Sequence, residues 1–472
     1  MQFYFRYFLI SFLLIFIFGC KSSVKNDVTY FGGHIKNPKD IDVTIYKDDI
    51  EIASTKLNQD QKFLIKIDSL KAGLYTFKNG EEFQYIYLEP KDSLLIRLNT
   101  WDFDESLVFS GKGAERNNFL IQLFLENESQ EKLYFDYFSL NEALFIKKTD
   151  SLIKLKTIQF NQFKDGTIKQ SKEYFDLIYT AIYFPVFSNK EKYPIHYKHI
   201  HHLKKLPTLS KDFYKHRKNI NLNHNLFTNY YTYKNYLWNT IYNTSLYKQE
   251  MDSLSDLSVI ILKQISKIIT KEKLKNTMLQ KTFISSLIDN SCTKSNGKIA
   301  QRIFFENCTD KDTKKEVINL INAINTFKKG SNLFSFRLKN TRDKTLNIKH
   351  IITKNTVIYF WPKELNHIQN MAKRVNYLSK RHPDIRFIGI DFQLDNYNWK
   401  SYIKATNLNR NNQFQLVDKI DNKFFPKDIP RAIILDRNSI IQSDFTFLSH
   451  HNFEQKLLVF EKNAQNTAIT NK

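Results

Sequence analysis

Cysteine and histidine residues offer this 472-residue chain most of its potential for redox, nucleophilic or metal chemistry. Cys292 and Cys308 lie sixteen positions apart (308 − 292), each in a polar stretch. Three interpretations are open: a structural disulfide, two free thiols, or a redox-active pair. A disulfide closing a loop of that size would stabilise the fold by about 3 kcal/mol. The sequence does not decide between them, because a disulfide depends on the separation of the two Cα atoms.

A cluster of histidines is the second group with potential chemistry: His196, His199, His201 and His202. Metal binding is one interpretation, since imidazole is a common metal ligand. The surrounding lysines would repel a cation, and the segment contains no Asp or Glu, which favours a solvated basic loop. The chain has no glycine-rich phosphate loop and no Ser-His-Asp or metal–carboxylate motif. We therefore expect neither a metal nor a cofactor.

The amino terminus predicts a lipid anchor. Arg6 is the only charge before Cys20, and residues 7–18 are apolar except for Ser11. This run suits the apolar region of a signal peptide and is short for a membrane-spanning helix. Cys20 follows Gly19 directly behind it, a pattern that resembles the bacterial lipobox and implies lipidation of Cys20 as the first mature residue. The alternative is a retained signal anchor.

The residues after Cys20 extend this prediction. Lys21 stands where Asp is associated with retention in the inner membrane, which favours the outer membrane, facing the periplasm. Residues 21–27 are polar and predict a short tether. The formal charge of +23 suggests nucleic-acid binding as one role. Because the basic residues are scattered along the whole length, we expect no nucleic-acid partner and consider a membrane surface the better one.

The hydrophobic patterns divide the chain into three structural regions. Residues 28–113 predict an antiparallel β-sandwich of about seven strands, because short alternating runs are punctuated by Gly, Asp, Asn and Pro. Residues 114–330 show apolar residues at three- and four-residue steps and predict an all-α insert, with a loop at residues 188–194. Residues 331–465 predict an α/β domain, and residues 466–472 a tail. The chain is thus expected to be multidomain.

Within the α/β region, residues 356–361 form a nearly continuous apolar run, as expected of a buried central strand. An amphipathic helix is predicted over residues 364–382, and a second central strand over residues 386–392. A further helix, a strand with its hairpin partner, and a final helix are expected over residues 397–405, 431–444 and 452–463.

Three segments of this region resemble the TlpA type of the thioredoxin-like family. They are Tyr359-Phe-Trp361, Phe387-Ile-Gly-Ile-Asp391 and Ile429-Pro-Arg-Ala-Ile-Ile-Leu-Asp436. Upstream, Tyr87–Leu94 and Phe109–Asn117 resemble the β-domain that precedes such modules in bacterial lipoproteins. The resemblance implies a thioredoxin-like fold, with Pro430 in the cis form beside the active site.

In the same family, Phe-Trp is followed by Cys-x-x-Cys, and the two cysteine positions fall here on Leu365 and Ile368. Disulfide exchange requires a thiolate at the helix start and a second thiol to resolve the mixed disulfide. Neither residue can supply one, so we expect no catalytic residue at this site. His367, between them, is expected to be a solvated polar residue.

Two functional hypotheses follow. In the first, an apolar groove holds a peptide or an envelope protein, and the role is non-catalytic binding or assembly. The groove is lined by Trp361, Leu365, Ile368 and Pro430, with His367 as a further candidate. In the second, the chain is a periplasmic thiol-disulfide oxidoreductase that uses Cys292 and Cys308. The missing cysteines favour the first hypothesis, and the family resemblance favours the second only at the level of fold.

Overall fold

The computed structural model describes residues 27–166, 169–223, 229–252, 254–288, 294–362, 365–392, 394–418, 432–443, 446–450 and 452–470. The chain divides into two compact units, residues 1–243 and residues 244–472. Cys20, Cys292 and Pro430 lie outside the described residues. The predicted lipidation, the cis peptide bond and the domain boundaries therefore stay predictions.

The first unit begins with eight strands arranged in two four-stranded sheets. The strands are β1 Val28–Lys36, β2 Asp42–Lys47, β3 Ile50–Lys56, β4 Lys62–Asp68, β5 Gly73–Asn79, β6 Glu82–Leu88, β7 Ser93–Asn99 and β8 Val108–Lys112. The first sheet has the order β4-β1-β7-β8 and the second the order β3-β2-β5-β6. Strict alternation of buried and exposed residues, as in β4, places the apolar side chains of both sheets in one shared core. The two sheets form the predicted sandwich.

The prediction that this sandwich is purely antiparallel is wrong. Strand β1 pairs in parallel with β7, with Phe31 opposite Leu94, and all other pairs of the two sheets are antiparallel. A parallel pair needs a long crossover connection. The segment containing β2 to β6 supplies this connection here. The prediction failed because the alternation of apolar and polar residues within a strand carries no information about the direction of the neighbouring strand.

Helices follow the strands. They are α1 Phe103–Ser106, α2 Ala114–Glu131, α3 Leu133–Tyr137, α4 Glu142–Lys164, α5 Lys172–Ile200, α6 Tyr231–Met251, α7 Leu257–Ile268, α8 Glu272–Ile288, α9 Lys294–Asn307 and α10 Lys311–Thr326. The loop predicted at residues 188–194 is wrong, because α5 continues through both Pro185 and Pro194. Proline 185 cannot donate a hydrogen bond to the Ala181 carbonyl. The Asn127 side chain donates to that carbonyl instead (3.0 Å), so the buried oxygen keeps a partner.

The second unit ends in a six-stranded sheet with the order β10-β9-β13-β12-β11-β14. Its elements are β9 Arg337–Asn340, β10 Thr345–Asn347, α11 Ile348–Ile351, β11 Thr356–Phe360, α12 Leu365–Arg381, β12 Arg386–Asp391, α13 Asn396–Ala405, β13 Gln413–Leu416, β14 Ala432–Leu435 and α14 Phe453–Thr470. Strands β11, β12 and β13 are parallel, while β14 is antiparallel to β11. The predicted alternation of central strands and helices is observed, and β13 is an additional strand that the sequence patterns did not predict.

Two apolar layers cover this sheet. The residues of β11 alternate between the layers: Val357 and Tyr359 pack on one side with α12 and α14, and Ile358 and Phe360 on the other. All five residues of β11 are buried, which accounts for its continuous apolar run. The carboxyl ends of β11 and β12 therefore hold the candidate site on a rigid support.

Candidate functional site

A buried hydrogen-bonded network lies where β11 ends. The Gln413 side-chain oxygen accepts from the Tyr359 hydroxyl (2.9 Å) and from the Trp361 indole N–H (3.1 Å). The Trp361 amide donates to the Ile390 carbonyl (3.0 Å), which ties the Phe-Trp corner to β12. These bonds give the buried polar atoms of both aromatic residues a partner. Trp361 is thereby held in one orientation.

Gly389 allows this network to form. A Cβ atom at this position would lie 2.1 Å from the Gln413 side-chain oxygen and 2.7 Å from the Trp361 indole nitrogen. No real side chain tolerates such distances, so any larger residue would displace the network. The glycine in the Phe387–Asp391 motif is therefore explained by the close approach of Gln413, a residue that sequence reasoning missed.

The two positions that match the family's cysteines differ in what the structure describes. Ile368 is fully buried (0% exposed) and packs in the core that includes Trp361 and Ala372. Leu365 begins α12, and its side chain lies outside the described part. His367 is exposed, as expected. Position 368 is thus occupied by a core residue with no reactive group.

The predicted apolar groove depends on exposed side chains. Trp361 is only 1% exposed, and Ile368 is buried. Neither offers surface to a ligand in this conformation, so the structure brings these two residues together in the core and not at a surface. For Leu365, His367 and Pro430 the groove role stays a prediction.

A buried carboxylate lies at the end of β12. Asp391 accepts a hydrogen bond from the Gln415 amide (2.9 Å) and one from the Leu394 backbone N–H (3.2 Å). Its side chain is fully buried, and these donors replace the hydrogen bonds that the carboxyl group would make with solvent. We interpret Asp391 as a residue that orders the turn after β12.

Cys308 is a free, buried thiol. It is 1% exposed, and burial raises its pKa above the ordinary value, while a hydrogen bond with the Asp310 backbone partly opposes this rise. A reactive cysteine needs the opposite environment, because the thiolate is the nucleophile. Because Cys292 lies outside the described residues, the structure describes only Cys308 of this pair, and the three interpretations stay open.

The histidine cluster lies at the end of α5. His196 stacks on Phe138 with ring centroids 4.3 Å apart, and the His201 ring contacts the Ser139 carbonyl (3.0 Å). Burial, followed by nearby Lys192, lowers the pKa of His196. Among the residues that the structure describes, no group of three or more His, Cys, Asp or Glu side chains could hold a metal ion.

Two buried ionic clusters were missed by sequence reasoning. In the first, Arg116 contacts Asp92 (2.5 Å) and Glu89 (3.1 Å). The two sequence phrases that resemble the lipoprotein β-domain thus meet through this ion pair, at the junction of β7 and α2. Charged residues inside otherwise apolar sequence motifs could have indicated this ion pair, because such residues are often structural partners.

The second ionic cluster centres on Glu191 of α5. Its carboxylate is fully buried and accepts hydrogen bonds from Arg217, His216 (3.1 Å) and Asn243 (2.7 Å). Burial alone would raise the pKa of Glu191, but the hydrogen bonds from Arg217 and His216 outweigh it and hold the pKa below its ordinary value. All of these donors stabilise the ionised carboxylate of Glu191 at its buried position, so we interpret the cluster as structural.

Comparisons with solved structures point to thiol-disulfide chemistry in the neighbours. A thiol:disulfide interchange protein from Bacteroides sp. shares 13% identity, with 28% of this chain and 89% of that chain covered and a TM-score of 0.25. The thioredoxin domain of a thiol-disulfide oxidoreductase from Bacteroides vulgatus shares 12% identity, with 28% and 96% covered and a TM-score of 0.25. A thiol peroxidase from Chromobacterium violaceum shares 13% identity, with 29% and 89% covered and a TM-score of 0.25.

No protein-family model and no curated relative matches the chain. The structural similarity covers under a third of the chain, and with TM-scores this low it carries no argument about activity. Over the described ranges, no helix combines the length and apolar character needed to cross a bilayer. Function must therefore be inferred from the contacts of this chain's own residues.

Proposed function

We propose that this chain is an envelope lipoprotein, anchored through Cys20 to the outer membrane and facing the periplasm. Its thioredoxin-like region has a non-catalytic binding or assembly role toward an envelope protein or peptide. The proposed anchor rests on the apolar run before Cys20 and the small residue at position 19.

One observation supports the non-catalytic role above all others. Ile368, which stands where disulfide exchange needs a thiol, is fully buried in the apolar core. The side chain is thus part of the packing of α12 against the sheet. Because no sulfur can attack or leave at this position, the region can contribute shape and surface but not exchange.

The second candidate function is a thiol-disulfide oxidoreductase using Cys292 and Cys308, which the resemblance of residues 359–436 to the TlpA type implies at the level of fold. The buried state of Cys308 and its raised pKa oppose it, since both lower the thiolate fraction available for attack.

An insulin-reduction assay separates the two functions. Wild type, Cys292→Ser and Cys308→Ser are compared in the presence of dithiothreitol, with a genuine thioredoxin as the positive control. We expect all three proteins to match the rate of dithiothreitol alone. A wild-type rate above this background that either substitution abolishes would refute the non-catalytic role.

Metabolic labelling with a clickable fatty acid tests the anchor. We expect the wild-type chain to carry the label and Cys20→Ala to lose it, with Cys308→Ser as the matched cysteine control that keeps it. An unlabelled wild type would refute the anchor. Cross-linking in intact cells, followed by purification of the anchored chain, would then identify the protein or peptide that it binds.

A further inference from the structure

The outward face of the first sheet is an open surface with an unusual composition. Strands β4, β1, β7 and β8 turn alternate residues away from the core. Four apolar side chains stand exposed on this face: Tyr30 (36%), Leu64 (57%), Leu95 (44%) and Val108 (55%). Single exposed apolar residues are common on proteins, but these four occupy neighbouring positions of one sheet.

The strand register places the apolar residues side by side. Gly32 of β1 lies between Leu64 of β4 and Leu95 of β7 in one cross-strand row. A Cβ atom at Gly32 would come within 2.8 Å of Leu64 Cδ1, so the glycine lets the leucine lie flat across the strand. The centre of the face is therefore a low, apolar surface.

Basic residues surround this centre. The outward positions of the four strands include five cations: Lys36, Lys62, Lys66, Arg97 and Lys112. Asp68 is the only acid among the outward positions of these strands, and it pairs with Lys66 (3.5 Å). The face thus combines an apolar centre with a strongly positive rim.

The second sheet of the sandwich differs in this respect. Its residues Leu74, Tyr85 and Tyr87 pack against helical residues such as Phe119 and Tyr174. That packing covers the outward side of β5 and β6 at these three residues, while Phe83 of β6 stays 49% exposed. The first sheet has no such cover over the side chains named above, which leaves its face available for a partner.

We propose that the outward face of the first sheet docks on the anionic headgroup surface of the membrane that carries the lipid anchor. The inference rests on the proposed lipidation of Cys20. Phosphate groups of the lipids match the basic rim, and the apolar centre enters the headgroup layer. Each basic side chain near an anionic surface favours contact by roughly fivefold.

The length of the tether supports this occupant. Eight residue steps separate Cys20 from Val28, the first residue of β1 (28 − 20). Such a chain reaches at most about 28 Å when fully extended. Strand β1 lies within the face itself, with Tyr30 two residues beyond its start. An anchored chain therefore keeps this face close to the lipid surface, where contact costs little further freedom.

Fluorescence quenching on vesicles tests the proposal. The full chain, lipidated at Cys20, is reconstituted into phosphatidylcholine vesicles with or without phosphatidylglycerol, and doxyl-labelled lipid serves as the quencher. An environment-sensitive dye is placed on the face by Ser110→Cys in a Cys292→Ser background. The matched reporter is Ser54→Cys on β3 of the second sheet, which is also exposed.

We expect strong quenching of the dye at position 110 on the anionic vesicles and little at position 54. Reversal of three rim charges by Lys62→Glu, Lys66→Glu and Arg97→Glu should lower the contact population by more than about 100-fold and abolish the quenching. The control with the same charge change, Lys147→Glu, Lys154→Glu and Lys164→Glu on α4, should keep it.

Each other outcome overturns the inference in a recognisable way. Equal, weak quenching at both positions on a chain that is firmly attached to the vesicles refutes the docked face and leaves the anchor intact. A wild-type chain that does not attach at all refutes the anchor and the docked face together. Dye shifts that rise with protein density on neutral vesicles would identify a second copy of the chain as the occupant.

Discussion

Lys156 of α4 allows a quantitative test of the packing in the first unit. Its side chain is only 2% exposed, and its ammonium group donates to the Asn127 side-chain oxygen. Burial lowers the pKa of Lys156 from 10.5 to about 8, partly opposed by Glu126. The difference of 10.5 − 8 = 2.5 corresponds to about 3 kcal/mol of destabilisation while the lysine is charged.

The pH dependence follows from the sign of this difference. Because the pKa is lower in the folded state, the unfolded chain binds more protons between about pH 8 and pH 10.5, and stability rises with pH through that window. Lys156→Met removes this contribution. We therefore expect the free energy of unfolding of wild type, relative to Lys156→Met, to increase by about 2.5 kcal/mol from pH 7 to pH 10.

Urea unfolding of the first unit at pH 7, 8, 9 and 10 measures this difference, since groups that titrate in both proteins cancel. Lys154→Met, an exposed position on the same helix, is the control and should show a nearly constant difference. The stability difference at pH 7 also includes the loss of the hydrogen bond to Asn127. The change of this difference with pH is therefore the quantity that tests the lowered pKa of Lys156. If the difference in unfolding free energy between wild type and Lys156→Met does not change with pH, the conclusion that burial lowers the pKa of Lys156 is refuted.

Three further predictions concern single side chains. Glu191→Gln should destabilise the first unit by about 2–4 kcal/mol in urea unfolding, because Arg217, whose side chain is 29% exposed, then loses its fully buried carboxylate partner; a loss below about 1 kcal/mol would contradict the cluster. Since the pKa of Glu191 is held below its ordinary value of 4.5, this stability should be present above pH 4.5 and decline as the pH falls below it. Gly389→Ala should destabilise the second unit by about 1–3 kcal/mol or more and change the Trp361 emission, with an unchanged spectrum counting against the network around Gln413. Cys308 should resist alkylation in the native state and react in urea, in a Cys20→Ala, Cys292→Ser background; rapid native labelling would show that the thiol is accessible.

Strands β4 and β11 were predictable because the burial of their residues follows a simple pattern. The alternation in β4 and the unbroken apolar run of β11 each report how a segment divides between core and solvent. Strand β13, only four residues long, lacked such a signal. The same limit applies to α5, where two prolines predict a break. Asn127, which lies on a helix far away in the sequence, donates the hydrogen bond that Pro185 cannot donate. Local sequence patterns contain no information about that contact.

The amino-acid sequence by itself determined which side chains stand at each position: no sulfur at Leu365 or Ile368, a cysteine behind an apolar run, and an excess of basic residues. Only the tertiary structure decided what these side chains meet. It buried Ile368 and Trp361 in a core, paired β1 with β7 in parallel, and collected five cations around an apolar centre on one sheet face. The physical reason is that periodicity encodes the burial of a residue, whereas its partners depend on segments far away in the chain.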